Sequence, residues 1–342
     1  MTGLPMTDQL SRTVATTANA AAPSMTAVVC TYTDRRWDML VESVASLLAQ
    51  TQCPDQTVVV VDHNDSLLAR ARVEFGPDVE VVPNEEQAGL AGARNSGLRR
   101  ARGEVVAFLD DDAHADAGWL AAMAAQYADP RVAGVGGAAR PSWPGGQRPW
   151  WFPAEFDWVV GCTHRGLPEV VAPVRNPVGA SMSIRRRLFD EVGGFDTAMG
   201  RIGTVPVGCE ETEFAIRVRQ RMPGVEFVHV PGAVAHHHVA EERARMRYFL
   251  RRCYAEGLSK AAVTQRAGAD AALAEERRYT LVVLPRAVAR ESAAVVSGDV
   301  GGAVRAVVIV VGVMATVGGY VVGQSRLVAH RVRGSLRGSR HG

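Results

Sequence analysis

From Thr26 onward, runs of consecutive apolar residues alternate with longer stretches whose apolar positions recur every three or four residues. The runs AVVCTYT (27–33), TVVVVD (57–62), VEVVP (79–83) and VVAFL (105–109) lack the alternation of a half-exposed strand. Each predicts a strand buried on both faces. Between them, residues 38–50 place Leu40, Val44, Leu47 and Leu48 on one helical face, and 66–75, 92–102 and 119–127 predict three more helices. Strands separated by helices of about ten residues indicate a parallel α/β sheet. This pattern covers roughly residues 26–135.

The texture then changes. Residues 141–158, PSWPGGQRPWWFPAEFDW, hold four of the six tryptophans and four prolines, which predicts an ordered loop or short strands and excludes a helix. These aromatics would plug the sheet, stack on an acceptor sugar, or do both; Trp150, Trp151 and Trp158 are the candidates for an acceptor wall. A helix over 211–221 ends at Pro223, residues 225–238 read as one or two short strands ending in three histidines, and 243–265 reads as a basic amphipathic helix. Residues 306–323 carry no charge over 18 positions, the lower edge of a membrane span. Arg326, Arg331, Arg333, Arg337 and Arg340 follow, with no acid among them. A single crossing would carry these arginines away from a cytoplasmic catalytic part, against the positive-inside rule. A re-entrant, interfacial or buried helix avoids the conflict. Residues 1–24, rich in Ala and Thr, read as a disordered leader and not as a secretory signal.

Composition narrows the partners. The 342 residues carry a net charge of +2, which gives no reason to expect a nucleic-acid partner. Cys30, Cys53, Cys162, Cys209 and Cys253 are scattered without a CxxC pair, so a disulfide framework or structural zinc site is not indicated and a reducing, cytoplasmic setting fits.

The chemistry gathers at strand ends. Asp110, Asp111 and Asp112 follow VVAFL, at the carboxyl edge where open α/β sheets bind ligands. Crowded carboxylates repel one another and become comfortable around a divalent cation, Mn²⁺ or Mg²⁺, whose shell phosphates complete. A solvated acidic turn or a helix cap is the competing reading. Thr31, Tyr32 and Thr33 end the first strand, Asp62 the second, and Arg94 starts the third helix. Together they can read a base, hold a ribose and neutralise phosphate. Of His236, His237 and His238, at most alternate members of a strand face one way. His237, then His236, is a candidate metal ligand, with a polar turn as the alternative.

TAVVCTYT, VVVVDHN, AGARNSGLRRARGEVVAFLDDDA, NPVGASMSIRRRLFDEVGGFD and GCEETEFAIRVR together resemble family 2 glycosyltransferases of the GT-A fold, over residues 26–240. The resemblance implies a Rossmann-like, mostly parallel sheet flanked by helices, followed here by a helical and apolar C-terminal extension. It implies a nucleotide-binding half (25–135), an acceptor-binding half (136–240), a helical extension (241–300) and an apolar helix with a basic tail (301–342). Asp110 and Asp112 match the family's DxD motif, which holds the cation against the diphosphate of a nucleotide sugar. Thr31 to Thr33, Asp62, Arg94 and Asp111 match donor-site positions, and Arg217 matches an arginine that supports the site. The family draws its general base from an acidic pair at a helix start. Here the pair is Glu210-Glu211, and Glu211 stands where an Asp is usual. Absence of QxxRW after this pair argues for transfer of one sugar, not processive synthesis. A narrower resemblance, in GCEETE, FDWVVGCTHRGLPE and YFLRRCYAEGLSKA, is to glucosyl-dolichyl-phosphate glucuronosyltransferase-like proteins of bacteria. It implies a UDP-glucuronate donor, a lipid-linked sugar acceptor and peripheral contact with the inner face of the cell membrane. The basic helix and the apolar segment both fit a membrane surface. A nucleotidyltransferase would also use strand-end acids, but CTYTDRRW lacks its phosphate loop. A non-catalytic nucleotide-sugar sensor would leave Glu210 and Glu211 unexplained.

Overall fold

The structure is a computed structural model that describes residues 22–199 and 208–338, without the side chains of residues 271 and 327–338. Most of the expected leader lies outside the described residues. Ser24, its last residue, is already anchored, because its carbonyl accepts from Val105 N.

The first half alternates strand and helix: β1 (Met25–Thr31), α1 (Trp37–Leu48), β2 (Gln56–Val61), α2 (Asp65–Phe75), β3 (Glu80–Pro83), α3 (Leu90–Arg100) and β4 (Val105–Asp110). Short pieces follow: β5 (Ala113–Ala115), α4 (Trp119–Ala124), β6 (Val132–Ser142), β7 (Ala172–Val174), β8 (Ser181–Arg185) and α5 (Arg187–Val192). Then come α6 (Glu210–Arg221) and β9 (Glu226–His238). Four C-terminal helices complete the chain: α7 (Met246–Ala267), α8 (Ala269–Arg278), α9 (Leu284–Val296) and α10 (Gly301–Gly338).

The strands form one sheet in the order β3-β2-β1-β4-β8-β6-β9-β5, with β7 beside β9. β3, β2, β1 and β4 run parallel, whereas β8 is antiparallel to both β4 and β6. Both faces of the parallel half are covered. Ala27 and Val29 join Leu40, Leu47 and Trp119 on one side. Val28, Val58 and Phe108 join Phe214 and Phe227 on the other. That two-sided burial explains the unbroken apolar runs. Each fully buried side chain of this size contributes about 1.5–3 kcal/mol.

Several boundaries differ from the sequence reading. β1 stops at Thr31, so Tyr32 and Thr33 lie beyond it; Thr33 caps a short turn by accepting from Arg35 N. Residues 226–238 form one long strand, paired along β6 and closed at its far end by β5. The thirteen residues stay paired on both edges, although the register against β6 shifts between Val230 and Val234. The basic helix starts at Met246, three residues later than expected, leaving Arg243 in the preceding turn. The uncharged stretch 306–323 sits inside the much longer α10.

The tryptophan-rich segment divides. Trp143 and Trp151 pack with Phe152 and Phe249 in a separate aromatic core under the C-terminal helices. Trp158 N–H donates to Tyr279 OH at 3.2 Å, and Trp150 is 64% exposed.

Candidate active site

The strand ends open into a cavity of about 940 Å³. One end is polar and belongs to the sheet: Thr31, Tyr32, Asp62, Arg94 and all three consecutive aspartates line it. The far wall is built by Trp158, Tyr248, Arg252, Lys260 and residues of α9 and α10.

Asp110 ends β4, and Ser43 Oγ donates to its carbonyl at 3.2 Å. The chain then turns into β5, which lies antiparallel to β9, and His238 N donates to Asp112 O at 2.7 Å. This pairing brings His237 to the aspartates. Its ring is 2% exposed, and Nε2 lies 3.2 Å from Asp112 Oδ1 and 3.7 Å from Asp110 Oδ2. Strand alternation turns His236 the other way. There it pairs with Asp116 at 3.1 Å and stacks on His114, so it takes no part in the Asp110–Asp112–His237 group.

One ligand atom each from Asp110, Asp112 and His237 lie within 4.8 Å of one another, a spacing that could hold a metal ion. Two carboxylates and an imidazole suit Mn²⁺, and the open cavity side leaves room for phosphate oxygens. His237 Nδ1 and Asp111 Oδ2 are buried without a hydrogen-bond partner.

Cations hold this acidic cluster together. Arg36 reaches Asp111 at 2.8 Å and Asp112 at 3.0 Å, and Arg243 reaches Asp112 at 3.7 Å. Burial pushes the Asp112 carboxyl upward, but His237, Arg36 and Arg243 outweigh it and hold Asp112 well below the usual carboxylate range. Burial, with Asp112 alongside, pushes Asp111 up to about 6. Burial would lower His237, yet the two carboxylates raise it well above the ordinary histidine value.

Arg94 is the central tie. It is almost fully buried and donates to Glu210 Oε1 at 2.8 Å, to Gly179 O at 2.9 Å and to Asp110 Oδ1 at 3.5 Å. A buried arginine with two carboxylates joins α3, β4, α6 and the loop before β8. Gly92 lets α3 approach, since a Cβ there would collide with the carbonyl of Gln87. Asp62 is also spoken for: it accepts from Asn84 Nδ2 at 2.6 Å and Gly89 N at 2.9 Å, fixing the loop that enters α3.

Glu210 and Glu211 begin α6 after Cys209, which holds a left-handed φ of 85°. Both line the cavity, but they differ in partner: Glu210 is neutralised by Arg94 at 2.8 Å, whereas Glu211 has no ion pair within 4.0 Å among the described residues. Burial first, then the Glu210 charge, raises Glu211 to about 7.

Five residues expected in the site stand outside the cavity. Thr33 is the turn cap, and His236 belongs to the surface pair described above. Arg217 pairs with Glu213 and donates to the carbonyls of Val192, Gly193 and Gly194, bracing α6 against the end of α5. Trp151 lies in the aromatic core, and Trp150 points to solvent. Sequence reading missed Arg36 and Arg243, whose signal is weak: a basic pair just after the first strand and an arginine five residues beyond His238. It also missed the cavity side of α7. There Lys260 lies between Glu256 at 3.2 Å and Glu276 at 2.8 Å, and Arg252 pairs with Glu256 at 2.8 Å.

A parallel sheet extended by mixed strands, with an acidic strand end facing an acidic helix start, defines a GT-A-type glycosyltransferase. The chain belongs to glycosyl transferase family 2, whose family model matches residues 26–193. It is 37% identical over 236 residues to the glucosyl-dolichyl phosphate glucuronosyltransferase of Haloferax volcanii, covering 68% of this chain and 75% of that one. It is 27% identical over 239 residues to the probable N-acetylgalactosaminyltransferase 9 of Caenorhabditis elegans, of which it spans 39%. Among solved structures it is similar to the mannosyltransferase PcManGT from Pyrobaculum calidifontis in complex with GDP-Man and Mn²⁺. That match has a TM-score of 0.56 and 21% identity, and covers 89% of this chain and 86% of that one. GalNAc-T7 with UDP, GalNAc and Mn²⁺ gives a TM-score of 0.50 at 18% identity, covering 75% and 54%. At these identities the two structures speak for the fold alone.

Proposed function

We propose that this chain transfers one sugar, with inversion, from a UDP-sugar to a hydroxyl of a lipid-linked sugar at the cytoplasmic face of the cell membrane. The observation that carries this reading is the placement of Glu211 in the same cavity as Asp110, Asp112 and His237. An acceptor hydroxyl is a poor nucleophile near neutrality and needs a base. With its pKa raised to about 7, Glu211 is suited to take that proton. Glu210, held by Arg94, is the positioning member of the pair.

Asp110, Asp112 and His237 would hold the divalent ion, Mn²⁺ or Mg²⁺. Such an ion, when bound, offsets the charge of the departing nucleoside diphosphate. The chain's own groups do the rest. Thr31, Tyr32 and Asp62 line the nucleoside end, and Arg94 fixes Asp110 relative to α6. Glu211 removes the acceptor proton as the hydroxyl oxygen bonds to the anomeric carbon, and the bond from that carbon to the diphosphate oxygen breaks on the opposite face. Trp158 offers an aromatic face to the acceptor sugar.

The similarity to the Haloferax glucosyl-dolichyl phosphate glucuronosyltransferase supports glucuronate as the donor sugar and a dolichyl-phosphate-linked glucose as the acceptor. Such an enzyme would be a hexosyltransferase (EC 2.4.1.-). The test is UDP release from a panel of UDP-sugars, with Mn²⁺ or with EDTA, in the presence of polyprenyl-phosphate sugars. Release with one donor, lost in EDTA, is expected. UDP binding without release from any donor overturns the transferase reading in favour of a sensor, and pyrophosphate formation from a sugar phosphate and a nucleoside triphosphate overturns it in favour of a nucleotidyltransferase.

A further inference from the structure

α10 has two apolar faces. One is closed against α7: a Cβ at Gly257 would collide with the Thr316 carbonyl, and one at Gly319 with the Tyr254 carbonyl. Small residues permit such close helix contact. The other face is bare. Val304, Val307, Val311, Met314 and Val321 follow steps of three, four or seven residues along it, and Met314 is 68% exposed. Val296, at the end of α9, and Val300, just before α10, are more exposed still. Trp150 stands there too: its ring lies 3.7 Å from the Cβ position of Gly301, and its carbonyl accepts from Arg305. Single exposed apolar residues are ordinary, but a contiguous face of this length is not.

We infer that this face, with Trp150 at its rim, seats in one leaflet of a bilayer bearing anionic lipid, so that α10 lies in the membrane plane instead of crossing it. The inference rests on the lipid-linked acceptor proposed above. Charge selects the occupant: by sequence, residues 326–340 carry five arginines and no acid, which suits anionic headgroups. An exposed tryptophan is at home at the headgroup level. Crossing is opposed by α7. Its 22 residues include Arg247, Arg251, Arg252, Glu256, Lys260 and Arg266, a charge load that hydrocarbon does not accept. α10 therefore cannot stand upright in a bilayer without leaving the glycine contacts that hold it.

The seat explains a second feature. Val313, Thr316 and Val317 line the cavity wall, and Val317 is also exposed. The cavity thus reaches the same helix that carries the bare face. An acceptor could keep its hydrocarbon in the leaflet while its sugar reaches Glu211.

The test is co-sedimentation of the full chain with phosphatidylcholine vesicles, with and without phosphatidylglycerol. Binding that rises with phosphatidylglycerol is expected, with a loss of at least tenfold in Val307→Asp/Met314→Asp. Neither residue lines the cavity, so UDP binding and the circular dichroism spectrum should be unchanged. Trp150→Ala should weaken binding by less. A C-terminal epitope should remain open to protease from the side of the catalytic domain. Equal sedimentation of wild type and double variant, a supernatant protein in every vesicle, or an epitope shielded in the lumen each overturns the inference. So does a wild-type dimer, in the absence of lipid, that the double variant abolishes, since the face would then pair with a second copy. Turnover of a water-soluble acceptor without vesicle binding would sink this inference alone; vesicle binding without any sugar transfer would sink only the proposed reaction.

Discussion

The two ends of the cavity are built by different rules. At the sheet end, the charged groups arrive on strand ends, on the turns beside them and near the starts of helices, and opposite charges answer one another: Arg36 with Asp111 and Asp112, Arg94 with Glu210 and Asp110. At the helical end, charge is carried mid-helix on α7 and α8 and is internally paired, beside the apolar wall of α10. The first arrangement fixes atoms against a ligand of set shape, such as a nucleotide diphosphate. The second makes a graded surface, polar toward the aspartates and apolar toward α10. The contrast teaches that conserving energy of position falls to the sheet, while breadth of substrate contact falls to the helices.

The sharpest break in this contrast would come at Asp112. Asp112→Asn removes a charge on which His237, Arg36 and Arg243 converge. Turnover should fall on the order of a thousandfold. Metal titration of the rate checks the cause: the variant should need far more Mn²⁺, and EDTA should silence the wild type. Full turnover of Asp112→Asn in EDTA would remove the cation from the reaction.

The acidic pair gives the next effect. Glu211→Gln should lower kcat about 10²–10⁴-fold with little change in UDP affinity. A base must be ionised to act, so the wild-type rate should fall as pH drops through about 7, where burial and Glu210 have placed Glu211. An ordinary glutamate at 4.5 would keep its rate down to much lower pH. Glu210→Gln should behave differently, losing about 3–5 kcal/mol of stability because Arg94 is left buried with a weaker partner. Pre-steady-state rates and urea melts of both variants separate the roles. Loss of chemistry in Glu210→Gln with retention in Glu211→Gln would exchange them.

The same division governs what could be read beforehand. The parallel strands, Asp110 to Asp112 and the Glu210-Glu211 pair were legible because a doubly buried strand is an unbroken apolar run, and its carboxyl end is a fixed address. His237 was legible only as one of three, since alternation says that neighbours diverge but not which one turns inward. Arg36 and Arg243 were not legible, because long side chains reach the aspartates from turns whose direction local sequence does not encode. α7 misled in another way. Its cations suggested a membrane-facing helix, yet Arg252 and Lys260 turn to the cavity while Gly257 faces α10. Amphipathic spacing shows that a helix has two faces; packing partners decide which one meets water.

A smaller effect should come from the seam between α7 and α10. Gly257→Val would force its side chain into the backbone near Thr316 and Tyr320. Overpacking of this kind costs about 1–3 kcal/mol. The melting temperature should drop, whereas UDP affinity should stay within about twofold if the sheet end stands on its own core. A large loss of UDP affinity would show that the two ends are one cooperative unit.

The smallest effect is expected at Trp158, on the far wall of the cavity. Its ring packs beside Phe156, its N–H donates to Tyr279 OH, and the Arg252 guanidinium lies 5.8 Å from its centroid. If its face stacks on the acceptor sugar with the strength of an aromatic pair, it contributes about 0.5–1.5 kcal/mol. Trp158→Ala should therefore raise the acceptor KM about three- to tenfold and leave the donor KM unchanged. Trp158→Phe should restore most of the loss, because it keeps a face and gives up only the N–H. The two KM values, measured in one experiment on both variants, locate the boundary: an equal rise in donor and acceptor KM would place Trp158 at the sheet end and move the dividing line toward α10.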